Sequence, residues 1–283
     1  MKYYFYIIFS FIIWSSYGLL IKSFNLNPFS LILYLSIFVS IFIFIYIKKK
    51  SISFKFNLKT IALIGLASIL LFGNTITYFL ALKYTSITNT VLSHYAAPII
   101  AAFFIPIFLK EKIDRITIIA LIISSIGILL IFFPKGSFII NRNDFIGIVF
   151  GISSAVCYAF LIILAKFLIK NIESLFLMFY ENLYSILIIL LLTPIIKNQL
   201  IVTKTILLLY FFMGITHNFI APLLYLEGLR KIKAQHAAIL GYIEPVSAIL
   251  MEIIFLKQIP DLGTIIGGIL IIFSGILVVK STI

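Results

Sequence analysis

Residues 98–114 read PIIAAFFIPIFLKEKID, and residues 245–261 read PVSAILMEIIFLKQIPD. Both stretches open on Pro, reach the word IFLK nine residues later, and close on Asp four residues past the Lys. They lie 147 positions apart (245 − 98). Sliding residues 81–131 by that offset, without a gap, pairs Leu82 with Leu229, Tyr95 with Tyr242, Pro98 with Pro245, Ala101 with Ala248, Lys110 with Lys257, Asp114 with Asp261 and Thr117 with Thr264. Lys83 then faces Arg230. Apolar matches are cheap in a chain so rich in Ile, Leu and Phe. Matches of Pro, Tyr, Asp, Thr and basic residues in one register identify a duplication. Upstream, YGLLIK at 17–22 faces LIILAK at 161–166, which sets Trp14 against Tyr158, and Tyr34 similarly faces Tyr180. The chain therefore divides into halves, 1–141 and 142–283.

The composition says where those halves reside. Hydrophobic residues make up 63% of the chain and charged residues 11%, against roughly 25% charged in a soluble domain. Such a composition cannot build a water-soluble surface, and the chain reads as an all-α integral membrane protein. A crossing helix needs ~20 mostly apolar residues. Ten segments qualify: 3–21, 28–47, 60–82, 87–109, 115–133, 145–165, 174–196, 205–226, 235–256 and 262–280. The short gaps between them collect the charges and turn formers, as in KEKIDR and PKGSFIINRND, and leave no room for an extramembrane catalytic domain. The opening MKYYFYIIFSFIIWSSYG carries one Lys and no small-residue cleavage site, and reads as a retained first span. Cys157 is alone, so no disulfide framework is expected.

Each half holds five spans. Because five is odd, the second half enters the bilayer from the opposite side, and the halves form two inverted five-helix repeats. Many secondary transporters are built this way, with the solute site near the midplane between repeats. The net charge of +13 reflects topology rather than a nucleic-acid partner. With the N-terminus in the cytoplasm, 15 basic residues fall on the cytoplasmic side and 7 on the other. That bias places both termini inside.

Several stretches carry a family resemblance: IIWSSYGLLIK near the start, FLALKYTSITNTVLSHYAAPIIAAFFIPIFLKEKID, LYLEGLRKIKAQHAAILGYIEPVSAILMEIIFLKQIP, and IGGILIIFSGILVV. Together they resemble the EamA-type, ten-span members of the drug/metabolite transporter superfamily, over essentially the whole chain. The resemblance implies transport of small organic solutes, often efflux of amino acids or metabolites; with the alternating access that the inverted repeat suggests, the chain is expected to be a secondary transporter, an exporter, in the plasma membrane (the cell inner membrane). It also exposes a departure. The family often places an acidic residue after the FL-x word in both halves; Glu111 fits, whereas Gln258 stands at the second position.

Polar groups inside a span are costly, and each is a site candidate. The fourth span carries Thr90, His94, Ala97 and Ala101 on one helical face. Adding 147 gives Ala237, Gly241, Glu244 and Ala248 on the ninth. Small residues also serve close helix packing, but His94 and Glu244 are not small. If the two faces meet, they form a proton-responsive or substrate-contacting pair. The competing account is a neutral Glu244 and a His94 that bond only within the bundle. Asn74 and Tyr78 share a face of the third span; His217 and Asn218 sit in the eighth, Glu181 in the seventh. Trp14, Tyr17 and Tyr158 are candidate cavity walls, although aromatics also anchor spans at the interface, and Tyr242 is a further candidate for substrate contact. Glu181 has Lys166 as a candidate partner, and His236, beside Lys233, is expected to be solvated. Pro98 and Pro245 each remove a backbone N–H and should weaken their helices midway.

No metal or cofactor is expected, since the three His are not spaced as a helical metal pair. A phosphate-binding P-loop is also missing from the sequence. The expected partners are a small-molecule solute and the bilayer, with proton coupling suggested by the titratable residues. An intramembrane enzyme acting on lipid or peptide, or a channel, is the alternative function. No catalytic constellation such as H-E-x-x-H or paired intramembrane Asp occurs, so no catalytic residue is assigned.

Overall fold

A computed structural model describes residues 1–49, 58–132, 142–257 and 259–281. Gln258, where the second half departs from the family pattern, lies outside them. Among the described residues, thirteen α-helices build ten crossings, each long and apolar enough to span a bilayer. Helices are the expected solution, because lipid offers no partners to backbone N–H and C=O groups. The first three spans are α1 (Lys2–Phe24), α2 (Pro28–Lys49) and α3 (Leu58–Tyr84). The fourth is split into α4 (Ile87–His94) and α5 (Ala97–Leu109), and α6 (Arg115–Phe132) is the fifth. In the second half, α7 (Arg142–Leu168) and α8 (Ser174–Ile196) are followed by α9 (Lys204–Met213) and α10 (Ala221–Lys231), which make one crossing joined by a π-helical turn, Gly214–Ile220. The ninth span is split into α11 (Ala234–Leu240) and α12 (Ile243–Leu256), and α13 (Leu262–Lys280) is the tenth.

The duplication is visible in backbone detail. Lys110 and Lys257 both lie in the left-handed region, with φ of 57° and 53°. Each succeeds the Leu that ends a helix, Leu109 or Leu256. The IFLK word is thus a helix stop in both halves. Four residues on, Asp114 and Asp261 each cap the next helix: Asp114 accepts from the Thr117 N–H at 2.8 Å, and Asp261 from the Thr264 N–H at 2.7 Å. Such caps satisfy backbone donors that the first helical turn leaves free.

Helix neighbours obey the same swap. α3 packs on α7, and its counterpart pairing sets the eighth span on α1. The split fourth span packs on α7, the split ninth on α1. Counterparts also pair directly, α2 with α8 and α6 with α13, and the split fourth span meets the split ninth where α5 packs on α11. A pseudo-two-fold axis therefore runs through the bundle. At the α6–α13 contact, Gly127 and Gly267 bring backbones together. A Cβ on Gly127 would sit 2.7 Å from the Gly267 carbonyl oxygen.

The Pro residues do more than weaken. In both halves the helix breaks two to four residues earlier, at Tyr95–Ala96 and at Gly241–Tyr242. Pro98 and Pro245 then fall in the first turn of the second half-helix, where a missing N–H costs nothing.

At the end of the bundle where α1 begins, polar groups tie the halves together. The Lys233 Nζ donates to Asp114 Oδ2 at 2.6 Å. Glu111 accepts from the backbone N–H of Ala234 at 2.7 Å and lies 3.8 Å from the Lys166 ammonium. Burial works against the Asp114 charge, but the Lys233 ammonium and the Thr117 donors outweigh it and hold the carboxyl well below the usual carboxylate range.

Two expectations are corrected here. His236 is not solvated; it is fully buried, with Nδ1 2.7 Å from the Tyr4 hydroxyl and Nε2 3.2 Å from Thr117 Oγ1. The start of α11 is wedged against α1 and α6, so Lys233 reaches Asp114 while the imidazole turns inward. Lys166 does not pair with Glu181. It is spent on Glu111 and on the carbonyls of Leu229 and Ile232, each at 2.6 Å, where α10 ends.

Candidate functional site

The two helix breaks face each other across the pseudo-two-fold axis. The Tyr242 hydroxyl donates to the Tyr95 carbonyl at 2.9 Å, and the rings lie 5.7 Å apart. Each break ends one short helix and starts another, leaving backbone groups without helical partners. Tyr242 fills one of these, so that carbonyl is not free to line a cavity.

Beside the breaks lies a small cavity, lined by Phe11, His94, Tyr95, Ala97, Pro98, Tyr158, Ala238, Gly241 and Glu244. His94 ends α4 and Glu244 begins α12, so the two repeats contribute from counterpart positions one turn apart. In this conformer the cavity has room for about one water molecule. Anything larger enters this space only if the half-helices separate.

The third and sixth spans hold His94 in place. Its Nδ1 is 2.9 Å from Ser154 Oγ, and Ser154 donates to Asn74 Oδ1 at 2.7 Å. The His94 ring lies 5.0 Å from Tyr78 and 5.6 Å from Tyr158. Asn74, Tyr78, His94, Tyr158 and Glu244, expected as site residues, are thus brought together. Sequence reading missed Phe11, Tyr95 and Ser154. The signal for Ser154 was available: it lies four residues before Tyr158 on α7, on the same face.

A second polar cluster surrounds the π turn. An α-helical bond to the His217 carbonyl would come from the N–H of Ala221, which bonds Thr216 instead. A π-type bond would come from residue 222, which is Pro and has no N–H. The Trp14 indole N–H fills the position at 2.9 Å. The His217 ring is held by Ser16 Oγ and Thr216 Oγ1, each at 2.7 Å, and packs against Tyr17. Asn218 donates to Asn182 at 2.7 Å, joining this turn to α8. Trp14 and His217 therefore brace a helix irregularity. Phe11 links the clusters, since its ring touches Trp14 at 5.5 Å and also lines the cavity.

The remaining candidates lie elsewhere. Thr90 is fully buried, its hydroxyl without a hydrogen-bond partner among the described residues, on the face of α4 that approaches Gly151 of α7. It does not line the cavity. Tyr242 is buried against Ile128, Val246 and Ile271 and acts through its hydroxyl. Glu181 stands on α8, outside the cavity lining. Among the described residues, no group of three His, Cys, Asp or Glu could hold a metal.

A ten-span helical bundle with broken counterpart spans meeting at a small cavity that holds a His and a Glu defines a class of membrane transporter architecture. The chain belongs to the EamA-like transporter family, whose model matches residues 1–133 and 145–280. It is similar to a protein of Bacillus subtilis (strain 168) described as "Uncharacterized transporter YxxF", with 26% identity over 71% of this chain and 64% of that protein. An "Uncharacterized transporter" of Clostridium kluyveri is 28% identical over 70% of this chain and 65% of its own length. One from Archaeoglobus fulgidus is 26% identical over 76% and 75%. The chain thus spans just under two thirds of the first two relatives it matches. A solved crystal structure superposes with a TM-score of 0.87, covering 99% of this chain and 98% of the other at 15% identity. At that identity the likeness speaks for the fold.

Proposed function

We propose that this protein is a secondary transporter that exports a small organic metabolite, such as an amino acid, across the plasma membrane by alternating access. The observation that carries the reading is the placement of His94 and Glu244. They come from counterpart breaks in two repeats and line one cavity. A site built from both repeats changes its access whenever one repeat rocks against the other. The contacts of Asp114 and Glu111 with α11 and its approach close the bundle at the end where α1 begins, which the bias of basic residues puts in the cytoplasm. Export is supported by the family resemblance, and proton coupling by two titratable groups at the cavity.

Counterflow in vesicles reconstituted with the full chain tests this. A saturable exchange that Glu244→Gln and His94→Ala abolish, with membrane insertion intact, is the expected result. Wild-type exchange in both variants would remove the site. Failure of an imposed pH gradient to drive accumulation would remove the proton coupling and leave exchange or uniport.

A further inference from the structure

The hydrogen bonds around His94 fix which of its nitrogens can meet a solute. Ser154 has one hydroxyl proton, and that proton is directed at Asn74, whose Oδ1 and carbonyl oxygen lie at 2.7 and 3.1 Å. The Ser154 oxygen must then accept at its other contact, the 2.9 Å approach of His94 Nδ1. A neutral imidazole has one N–H and one bare nitrogen. With Nδ1 as the donor, Nε2 is the acceptor, and it makes no hydrogen bond among the described residues. The Glu244 carboxyl group, on the same cavity, has neither a hydrogen bond nor an ion pair among those residues. Among them, too, no Lys or Arg lines the cavity.

The cavity thus offers acceptors and no cation, between the rings of Phe11, Tyr95 and Tyr158. A carboxylate in such surroundings is costly unless it is protonated or meets a positive charge. A primary ammonium brings that charge with three N–H donors, and aromatic rings favour it further. Building on the transporter reading above, we propose that this cavity is a subsite for the primary ammonium group of the solute. Glu244 supplies the charge and His94 Nε2 the second acceptor. Ser154 and Asn74 are positioning residues that hold the imidazole in the accepting tautomer. A trimethylated amine has the charge without the donors and is discriminated against; a carboxylate solute without an amine is repelled.

Benzylamine, benzyltrimethylammonium and phenylacetate, three probes of similar size, test the assignment by thermal stabilisation of the purified full chain. Benzylamine should raise the melting temperature, with an apparent affinity on the order of tenfold above benzyltrimethylammonium, and phenylacetate should have no effect. Glu244→Gln should abolish the benzylamine response. His94→Leu should erase the preference for the primary amine, and His94→Gln, which keeps an acceptor, should retain part of it. Ser154→Ala should also narrow the preference, which loss of packing alone would not do. Equal stabilisation by both amines overturns the hydrogen-bonding assignment, as does an unchanged preference in His94→Leu. Stabilisation by phenylacetate, or by none of the three probes, overturns the ammonium site. Counterflow of the same probes separates this from the transport reading. If phenylacetate exchanges and benzylamine does not, the ammonium site falls and transport stands. If benzylamine stabilises but no probe exchanges, the site stands and the transport reading falls.

Discussion

The Tyr242 hydroxyl donates to the Tyr95 carbonyl at 2.9 Å, and these two residues are each other's counterparts across the 147-residue offset. A contact between counterparts must lie on or beside the axis relating the halves. Both residues also sit in the breaks of their spans. One hydrogen bond therefore joins the two interruptions that open the cavity. Tyr242→Phe keeps the ring and removes the donor, leaving a buried carbonyl unsatisfied. Its expected cost is about 1–3 kcal/mol, read as a lower melting temperature in detergent. An unchanged melting temperature would mean that the carbonyl finds another donor.

Much of this geometry was legible because a duplication converts sequence offset into spatial relation. The IFLK register aligned His94 one turn from the counterpart of Glu244, and counterparts near the axis meet in space. The ten spans were legible from length and hydropathy, since lipid leaves the backbone few options. What escaped were partner choices. Thr90 shares a helical face with His94 but lies one turn before the break, where α4 is pressed against Gly151 of α7, whereas His94 ends α4 at the break beside the cavity. Lys166 serves Glu111 and two helix-end carbonyls rather than Glu181, a choice set by the α5–α6 and α10–α11 connections meeting the end of α7. His236 looked solvated from its place in the chain and is buried because α11 starts between two other helices.

The Asp114–Lys233 contact carries a prediction about pH. The Asp114 carboxyl is held below the usual carboxylate range, so its contribution is full above its unfolded value and is lost only as pH falls through the lowered folded value. Between about pH 5 and pH 8 the contact should add no pH dependence to the melting temperature. Asp114→Asn removes the charge but keeps a capping oxygen, whereas Asp114→Ala removes both, at about 0.5–2 kcal/mol for the cap. The Ala variant should thus be the less stable. Because both side chains are 39% exposed, added salt should weaken the ion pair in the wild type and leave the Asn variant little changed. Equal stability of the two variants would show that the cap contributes nothing.

Pro222 and Trp14 should be energetically coupled. Pro222 denies the His217 carbonyl a helical donor, and the Trp14 indole supplies one at 2.9 Å. Trp14→Phe should therefore destabilise by about 1–3 kcal/mol through the unsatisfied carbonyl. In a Pro222→Ala background, residue 222 can donate, and the same Trp14→Phe change should cost less. A double-mutant cycle on melting free energies measures the difference. Strict additivity would separate the indole contact from the proline.

The α6–α13 contact tests how much close approach the bundle requires. A Cβ on Gly127 would meet the Gly267 carbonyl oxygen at 2.7 Å and the Ile271 Cγ1 at 2.8 Å. A Cβ on Gly267 would in turn meet the Gly127 carbonyl oxygen and, at 2.8 Å, the Ile131 Cγ1. A carbonyl oxygen belonging to a helix cannot turn aside as a side chain can, so either methyl must push the two helices apart. Overpacking of this kind typically costs about 1–3 kcal/mol, and Gly127→Ala and Gly267→Ala should each lower the melting temperature. Once the first methyl has separated the helices, the second meets an already widened contact. The double variant should therefore be less destabilised than the sum of the two, by an amount in the range of about 0.5–3 kcal/mol that neighbouring sites show. Because α6 and α13 are counterparts in the two repeats, similar single-variant effects are expected. A neutral effect at either glycine would show that the helices can part there without loss, and would remove this contact as a fixed element of the bundle.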